Sequence, residues 1–441
     1  MRTSTVARPE AGARTTRTFP RRRVYLAAAL VLAVTAPITP IATAFGAPPP
    51  TGYAASAPAA PLVTAAATPP GSIVFVKNHN IWIAKGDGSG QRQITKDGRA
   101  GDDYWSPTMS DAGIIAAANG PFIVRMKQDG TLLNRMDPPR LKNSLGHYID
   151  GPPMNVAISP DGKLIAYTFA DANGRTVTAY TAANTLTSAT KYGTTFLQNP
   201  YWVSNTRTLQ TGGYGHQLNF HDVGAKTDRH WFDDYDIYDP STDLGDAAVS
   251  RNGTLLAAVR GYGNTSQFIW YEVRGDVRKG IPGLPKPLCK SDMNSGYSGP
   301  VLAPDGSAIA TSEPDGIWIK TRPRECSYPG ALKIRGGSEP FWSPAAVQPL
   351  PKKFANSKLP AVTGTAKAGK KVAASPGRWS PTPSKFSYQW KRSGKAISGA
   401  TSRIYTVKSA DRGKTLSVTV TATRAGYITK AATSKSVKVA K

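Results

Sequence analysis

A short turn motif recurs along the middle of the chain, and each copy precedes an apolar run. In the clearest copy, Ser-Pro-Asp-Gly at residues 159–162 leads into the apolar residues 164–167. Serine first, proline second and glycine fourth suit a type I turn, and the apolar run predicts a strand buried on both faces. Weaker copies are recognised by a Ser or Ala at Ser106, Ser204, Ser250, Ala303 and Ser343.

The spacing of these copies predicts a repeat architecture. They lie 40 to 53 residues apart, and four short strands per unit at such a period are typical of β-propellers. A second element, such as Ile-Trp-Ile at residues 81–83 and 317–319, recurs within the units. The last copy lacks its strand and the first strand, residues 71–75, lacks its turn. We therefore expect both ends to share one sheet and close a ring of six blades over residues 71–345.

These repeats resemble those of the TolB-like propeller family, which are similar to WD repeats. That family's repeat has Trp-Ser-Pro-Asp-Gly before a β run and then an Ile-Tyr or Ile-Trp strand. The copy at Ser204 departs from it, with Asn-Thr-Arg at residues 205–207, and the copy at Ser250 lacks the proline. The resemblance implies binding of a protein partner, while related propellers gate peptidases. The fold alone fixes neither role.

The N-terminus predicts export. Three arginines at residues 21–23 precede thirteen uncharged residues, 24–36, and Ala42-Thr43-Ala44 forms an A-x-A site. We expect a signal peptide over residues 1–44 with cleavage after Ala44, because thirteen residues are too few to span a bilayer. The pattern Arg-Arg-x-Tyr-Leu suits twin-arginine export, and general secretion remains the alternative. The Pro- and Ala-rich residues 45–70 predict an extended spacer.

Charge is distributed unevenly along the chain. The net charge is +27, yet residues 71–350 hold 28 Lys and Arg against 26 Asp and Glu. Residues 351–441 hold 20 Lys and Arg against one acid, Asp411. We expect this segment to associate with an anionic cell-wall polymer or an acidic membrane surface, the alternative being a soluble spacer.

The basic segment also has its own strand pattern. Phe386, Tyr388 and Trp390 alternate with polar residues, which predicts a small β-sandwich. Residues 388–405 resemble the immunoglobulin-like repeats of Gram-positive surface proteins, so we place a linker at 346–357 and the module at 358–441. It has no cysteine pair, and its core must rest on Trp390. Aromatic residues at core positions argue against nucleic acid, which needs an exposed stacking face.

One acidic segment stands out within the propeller. Asp233, Asp234, Asp236 and Asp239 alternate with aromatic residues, and Asp243 and Asp246 follow. These carboxylates predict either a Ca²⁺ site or a grip on a basic or glycan partner, although EF-hand spacing is missing. The alternative is a solvated acidic loop.

Two cysteines, Cys289 and Cys326, lie 37 residues apart. In an exported chain they predict a disulfide, and two separate buried thiols are the alternative.

Catalytic motifs are missing from the sequence. No G-x-S-x-G elbow, H-E-x-x-H pair or sialidase Asp box is present, and Gly-Tyr-Ser-Gly at residues 296–299 runs into Pro300. The histidines His216, His221 and His230 lack metal-ligand spacing. We predict a non-catalytic, monomeric binding protein. The alternatives are a hydrolase or lyase, which needs carboxylates or a histidine at one mouth of the channel, and a purely structural wall protein.

Overall fold

The computed structural model describes residues 68–143, 145–184, 190–191, 197–212 and 217–441. The predicted signal peptide with its cleavage site after Ala44, most of the predicted spacer and His216 lie outside the described residues. Within them the regular structure consists of strands and three short 3₁₀ segments, Asp234–Asp236, Gly263–Thr265 and Ser409–Asp411. No helix of this part of the chain is long and apolar enough to cross a membrane.

Strands follow one another closely from Ser72 to Ser343. In chain order they are β1 (Ser72–Lys77), β2 (Asn80–Lys85), β3 (Arg92–Gln93), β4 (Tyr104–Met109), β5 (Ile115–Asn119), β6 (Phe122–Met126), β7 (Leu132–Met136), β8 (Leu141–Lys142), β9 (Tyr148–Ile149), β10 (Asn155–Ile158), β11 (Leu164–Ala170), β12 (Thr176–Ala182), β13 (Thr190–Lys191), β14 (Leu197–Ser204), β15 (Arg207–Gly212), β16 (Gln217–Asp222), β17 (Arg229–Asp233), β18 (Leu244–Val249), β19 (Leu255–Arg260), β20 (Gln267–Arg274), β21 (Gly283–Lys290), β22 (Ser298–Leu302), β23 (Ala308–Glu313), β24 (Gly316–Thr321), β25 (Ala331–Arg335) and β26 (Gly337–Ser343).

These strands form six four-stranded antiparallel sheets and one small hairpin, β8-β9. Sheet 1 is β26-β1-β2-β3, sheet 2 is β4-β5-β6-β7, sheet 3 is β10-β11-β12-β13, sheet 4 is β14-β15-β16-β17, sheet 5 is β18-β19-β20-β21 and sheet 6 is β22-β23-β24-β25. The first-named strands contact one another in the closed order β4, β10, β14, β18, β22, β26 and back to β4. They are therefore the innermost strands of a ring of sheets, which is the arrangement of a β-propeller.

The core of the ring lies between neighbouring sheets. Each interface has its own cluster of buried apolar side chains, one for each of the six pairs of neighbours. This explains the continuous apolar runs in the sequence, because a strand packed between two sheets buries both of its faces. Leu256 and Ala258, for example, pack toward sheet 4, whereas Leu255 and Ala257 pack toward sheet 6.

The predicted turns are confirmed in detail. The Ser159 hydroxyl accepts the backbone amides of Lys163 and Leu164, at 3.1 and 2.9 Å, and donates to Asp161. The Gly162 amide closes the turn on the Ser159 carbonyl with a φ of 74°, a conformation that glycine adopts without strain. Ser250 repeats the same contacts with Asn252 in the aspartate position.

One predicted copy of the turn is wrong. Trp-Ser-Pro at residues 105–107 lies inside β4, and the turn of this unit begins at Ser110, whose carbonyl accepts the Gly113 amide. The error arose because Trp-Ser-Pro matches the start of the motif, whereas Ser110-Asp111-Ala112-Gly113 has lost the proline.

The predicted closure of the ring is confirmed. The last strand before the linker, β26, pairs with the first strand, β1, with Phe341 opposite Val74 and Trp342 opposite Ile73. Sheet 1 is thus completed by strands from the two ends of the repeat region, which closes the ring.

The basic segment folds into further β-structure. Its strands are β27 (Lys352–Lys353), β28 (Ala355–Lys358), β29 (Ala361–Thr363), β30 (Lys371–Ser375), β31 (Arg378–Ser380), β32 (Lys385–Arg392), β33 (Lys395–Ala396), β34 (Ile404–Thr406), β35 (Thr415–Thr423), β36 (Tyr427–Ile428), β37 (Lys430–Thr433) and β38 (Val437–Lys438). The largest sheet is β33-β32-β35-β37 with β38 also on β35, and a second sheet is β29-β30-β34. As predicted, Trp390 is fully buried in the core.

This structure begins before residue 358, where we expected the module to start. Phe354 is buried and packs against Trp379 and Tyr427, with ring centroids 6.2 and 5.0 Å apart. Strands β27 and β28 pair with β36 and β31. Residues 344–351 carry no strand.

Cys289 and Cys326 are joined by a disulfide, with their Cα atoms 5.4 Å apart. Cys289 lies on β21, the outermost strand of sheet 5, and Cys326 lies in the loop between β24 and β25 of sheet 6. The bond therefore links neighbouring sheets at the rim of the ring.

Candidate binding face

The sheet order divides the connections of the ring between two faces. We call upper the face at the N-terminal ends of the innermost strands. It carries the loops between the second and third strands of each sheet and the connections from the fourth strand to the next sheet. The lower face carries the Ser-Pro-Asp-Gly type turns and the loops between third and fourth strands.

Five innermost strands contain a bulge near their upper ends, and we call the residues with positive φ there the bulge ring. Its φ angles lie between 46° and 54°, and the pairing registers of these strands shift at the same places. A bulge re-aims side chains and amides out of the ladder. The ring consists of Ser106, Asn199, Asp246, Gly299 and Glu339.

Hydrogen bonds of the bulge ring connect the sheets around the axis. They are Ser106 N to Glu339 Oε2 (2.6 Å), Val156 N to Ser106 Oγ (2.8 Å), Asn199 N to Asn155 Oδ1 (3.3 Å), Asn199 Nδ2 to Asp246 Oδ1 (2.6 Å) and Gly299 N to Asp246 Oδ2 (3.1 Å). Five of the six neighbouring pairs of sheets are joined in this way. Two carboxylates, Asp246 and Glu339, thus lie at the upper end of the axis.

An aromatic residue occupies the axis below the bulge ring. Tyr201 packs against the core clusters between sheets 1 and 2, sheets 4 and 5, and sheets 6 and 1. Because these clusters lie on different sides of the ring, a side chain that contacts all three lies near the axis. Its ring centroid lies 6.0 Å from that of Phe341. Tyr201 and Phe341 therefore narrow the channel between its two mouths.

An ion pair spans the lower mouth. The Arg251 guanidinium, from a turn of sheet 5, donates to Asp111 at 2.8 Å, and Asp111 lies in the turn of sheet 2, on the opposite side of the ring. Burial raises the pKa of Asp111 above its ordinary value, although Arg251 opposes that rise. Carboxylates are thus present at both mouths, while no histidine among the described residues belongs to the bulge ring.

The predicted acidic segment does not converge on one point. Asp234 is fully buried and accepts the Arg260 guanidinium at 2.9 Å and the Thr242 amide at 2.6 Å. Asp239 is exposed, and Asp246 belongs to the bulge ring. The alternating pattern therefore contains a buried structural ion pair, an exposed acid and a residue of the axis.

Two of the predicted acids do meet, and a histidine joins them. His230 Nε2 lies 3.0 Å from Asp233 Oδ1, and Asp236 accepts the Asp233 amide at 2.7 Å. The ligand atoms of the three side chains lie within 4.8 Å of one another. One imidazole and two carboxylates do not make the six to eight oxygen ligands that Ca²⁺ takes, so this donor set does not fit a calcium site.

Sequence reasoning missed the bulge ring, although a signal was present. In four of its members the next residue is proline: Ser106, Asn199, Gly299 and Glu339 precede Pro107, Pro200, Pro300 and Pro340. All four prolines lie three or four residues before the Ser or Ala of the repeat motif, which in sheet 2 is Ser110. A repeated X-Pro at that place marks the bulge.

The basic module has no acid on its surface. Asp411 is fully buried and accepts the Tyr405 hydroxyl at 2.9 Å, the Lys408 amide at 2.7 Å and the Arg392 guanidinium. Burial opposes ionisation, but these three donors together hold the pKa of Asp411 below its ordinary value. Every charged side chain exposed between residues 351 and 441 is therefore a lysine or an arginine.

Comparison with known proteins adds structural resemblance alone. No family model matches the chain, and no curated protein is significantly similar. Among solved structures, TolB from Acinetobacter baumannii has 18% identity and a TM-score of 0.44, over 62% of this chain and 66% of that one, so the match spans just under two thirds of that TolB. A putative TolB from Agrobacterium tumefaciens has 11% identity and a TM-score of 0.42, over 63% of this chain and 93% of that one. A chain of a nidogen/laminin complex has 11% identity and a TM-score of 0.45, over 63% and 99%.

Proposed function

We propose that this chain is an exported binding protein of the cell envelope. A six-bladed propeller, residues 71–345, offers a binding face to a protein partner. A basic immunoglobulin-like module holds the propeller at an anionic wall polymer or membrane surface. The observation that carries the proposal is the buried state of Asp411, which leaves an exclusively cationic surface on the module.

The outer face of the largest module sheet is the best surface for such an attachment. Phe386, Tyr388 and Trp390 of β32 point inward to the core, so the residues between them point outward. Register pairing places lysines and hydroxyls together on this outer face: Lys385 opposite Thr423, Lys438 opposite Thr415 and Thr419 opposite Thr433, with Lys391 opposite the buried Ser417. Ammonium groups and hydroxyls are donors that phosphate oxygens accept.

The net charge of the module favours binding to a polyanion over a role in solubility alone. The module has 20 basic residues and no exposed acid, whereas a soluble domain needs a net charge of magnitude about 2 to 8. A polymer of phosphates or a layer of acidic lipids gives many weak contacts at once, each worth about 1 kcal/mol near the surface of a membrane. The sum is firm but sensitive to salt.

The expected signal peptide and the disulfide both suit an exported protein. The expected signal peptide of residues 1–44 directs secretion, and the disulfide between Cys289 and Cys326 is stable where the surroundings are oxidising. We place the start of the module at Lys352, because Phe354 belongs to its core.

The propeller face is assigned to a protein partner, with a glycan as the other class. Exposed tyrosines on the upper-face loops, Tyr148, Tyr235 and Tyr262, are the residue type enriched where proteins bind one another. The partner is identified by capture from an envelope extract with the exported chain, residues 45–441, on beads.

The attachment is tested by sedimenting that chain with purified wall fragments or with vesicles of acidic lipid. A variant with Lys385→Gln, Lys391→Gln and Lys438→Gln loses three charges on the proposed face. A matched variant, Lys358→Gln, Lys367→Gln and Lys371→Gln, loses three exposed charges elsewhere on the module. The proposal expects weaker binding for the first variant than for the second, and equal or unchanged binding in both would contradict it.

A further inference from the structure

The near-neutral propeller hides a separation of charge between its two faces. Upper-face loops carry twelve acids and five bases, whereas lower-face loops carry eight of each. The upper acids are Asp97, Asp102, Asp103, Asp137, Asp150, Asp171, Asp234, Asp236, Asp239, Asp243, Asp292 and Asp315, and the upper bases are Lys96, Arg99, Arg140, Lys142 and Arg175. The lower acids are Asp87, Asp111, Asp129, Asp161, Asp228, Asp276, Asp305 and Glu325, and the lower bases are Lys127, Lys163, Lys226, Arg251, Arg278, Lys279, Arg322 and Arg324.

Charges at the adjoining strand ends leave this excess in place. The strand residues beside the upper loops comprise four acids and six bases, which are Asp233, Asp246, Glu313 and Glu339 against Lys77, Arg135, Lys191, Arg260, Lys290 and Arg335. The upper face is thus acidic as a whole. Clustered charge of one sign produces a field that attracts the opposite sign over about a Debye length, roughly 10 Å at 0.1 M salt.

Exposed apolar groups lie on the same face. Leu145, Tyr148, Tyr235, Tyr262 and Met293 are between 53% and 69% exposed, and all five belong to upper-face loops. At the lower face the corresponding described residues are Ile281 in a loop, at 44%, and Leu132, Leu133 and Leu284 at the adjoining strand ends, at 41% to 58%, none of them aromatic. Tyrosine and methionine are enriched in protein interfaces, so this face combines a charge that attracts a cation-rich surface with side chains that pack against one.

The chain itself contains a surface of the complementary kind. Its C-terminal module exposes lysines and arginines with no acid among them. We propose that the acidic upper face of one copy binds the basic module of a second copy. This inference rests on the cationic surface described under the proposed function. It gives that surface a second binding partner, the upper face of another copy.

Each module is held away from its own upper face. The segment after β26 leaves at the lower face, where Gln128 contacts Ala346 and Gln348, at 3.1 and 2.7 Å, and Arg92 donates to the Gln348 carbonyl at 3.0 Å. Four residues further on, the Lys352 amide bonds to Gly426 of the module. Because this connection is short and is held at both ends, a module cannot reach the upper face of its own propeller. Only the module of another molecule can bind there.

The resulting assembly is head to tail, which differs from the monomer that we expected from the sequence. The two surfaces in contact are different, so the interface is heterologous, and such an interface builds open chains unless its rotation closes a ring. Because attraction between exposed charges is screened by salt, the chains form at low ionic strength and dissociate at high ionic strength. Soluble polyanion competes for the module and shortens them.

The test is sedimentation velocity of residues 45–441 over a concentration series, in low salt and in about 0.5 M salt, where the Debye length is only a few Å. We expect concentration-dependent growth in low salt only. The upper-face variant Asp137→Lys, Asp239→Lys and Asp292→Lys should raise the dissociation constant at least about tenfold. The lower-face variant Asp276→Lys, Asp305→Lys and Glu325→Lys makes the same charge change and should associate as the unaltered chain does.

Charge complementation separates the assigned surfaces from general repulsion. A module variant, Lys385→Glu, Lys391→Glu and Lys438→Glu, should also fail to associate with itself. Mixing it with the upper-face variant should restore association, because the reversed face then meets the reversed module. A chain that stays monomeric in low salt, or a mixture that does not recover, overturns the inference. Wall binding by a chain that remains monomeric would leave the proposed function standing and remove this inference alone.

Discussion

The Tyr405 hydroxyl donates a hydrogen bond of 2.9 Å to Asp411, the one carboxylate of residues 351–441. Asp411 also accepts hydrogen bonds from the Lys408 amide and the Arg392 guanidinium. Its negative charge is therefore compensated inside the module and is not presented at the surface. The single acid of the module has a structural role, and the exposed charged side chains of the module are all cationic.

Replacing Asp411 by Asn should destabilise the module. The change leaves Arg392, which is about one third exposed, without its carboxylate and removes the charged acceptor of the Tyr405 hydroxyl. Loss of one partner of a buried pair costs on the order of 3 kcal/mol. Urea unfolding of the module, followed by the protection of its backbone amides against hydrogen exchange, measures it, with the exposed Asp276→Asn as control. Equal stability of the two variants would show that Asp411 is dispensable.

The same residue sets a dependence on acid. The folded pKa of Asp411 is lowered, so its contribution is fully present above the unfolded value of about 3.9 and is lost as pH falls through the lower folded value. The unaltered module should therefore lose stability below pH ~4, and Asp411→Asn should show a flatter profile. Parallel profiles would contradict this assignment.

A third prediction concerns the buried pair in the acidic segment. Asp234→Asn leaves the Arg260 guanidinium, 13% exposed, without its counter-charge and should lower the stability of the propeller by about 3 kcal/mol. Asp239→Asn, at an exposed position of the same segment, should change it by less than about 0.5 kcal/mol. Thermal unfolding compares them, and similar losses would mean that the pair with Arg260 contributes little.

The same segment gives a prediction about calcium. Because Asp234 is bound to Arg260 and the acids that converge do so with His230, millimolar Ca²⁺ should leave the melting temperature unchanged. Melting curves with added Ca²⁺ and with a chelator test this. A rise that disappears when Asp233, Asp234 and Asp236 are replaced together would restore the calcium hypothesis.

The disulfide should make a large contribution to the propeller. It closes a loop across 37 residues, for which the chain-entropy model gives about 4 kcal/mol. Cys326→Ser should lower the unfolding free energy by up to that amount, and reductant should destabilise the unaltered chain without affecting the variant. Insensitivity of the unaltered chain to reductant would contradict the prediction.

The parts of the fold that sequence predicted were those with local chemistry. The turn at Ser159 needs a hydroxyl, an acceptor and a glycine within four residues, and the closure of β26 on β1 follows from what each end lacks. The misplaced turn at Ser106 shows the limit of this reasoning. Trp-Ser-Pro occurs there in a bulged strand, and its proline marks a bulge only when it is compared with the prolines at the same place in the other units.

The candidate site was harder to predict because its contacts cross between sheets. Asp234 finds Arg260 in the next sheet, and Asn199 bridges Asn155 and Asp246, which are far apart in sequence. The run of acids therefore suggested one site in the sequence, whereas in the structure its members lie apart, in a buried ion pair, at the surface and at the axis. Charge counted along the chain likewise missed the acidic upper face, since each face collects loops from all six sheets.

We propose above that the module attaches through many exposed cations to a polyanion. The most direct measurement is the affinity of residues 45–441 for purified anionic wall polymer over a series of salt concentrations. We expect the logarithm of the binding constant to fall linearly with the logarithm of salt concentration, as counterions are released. We also expect a slope smaller in magnitude by roughly two to three for the variant with Lys385→Gln, Lys391→Gln and Lys438→Gln. An affinity that does not change with salt, or a slope that the three substitutions leave unaltered, would rule out attachment by exposed cations.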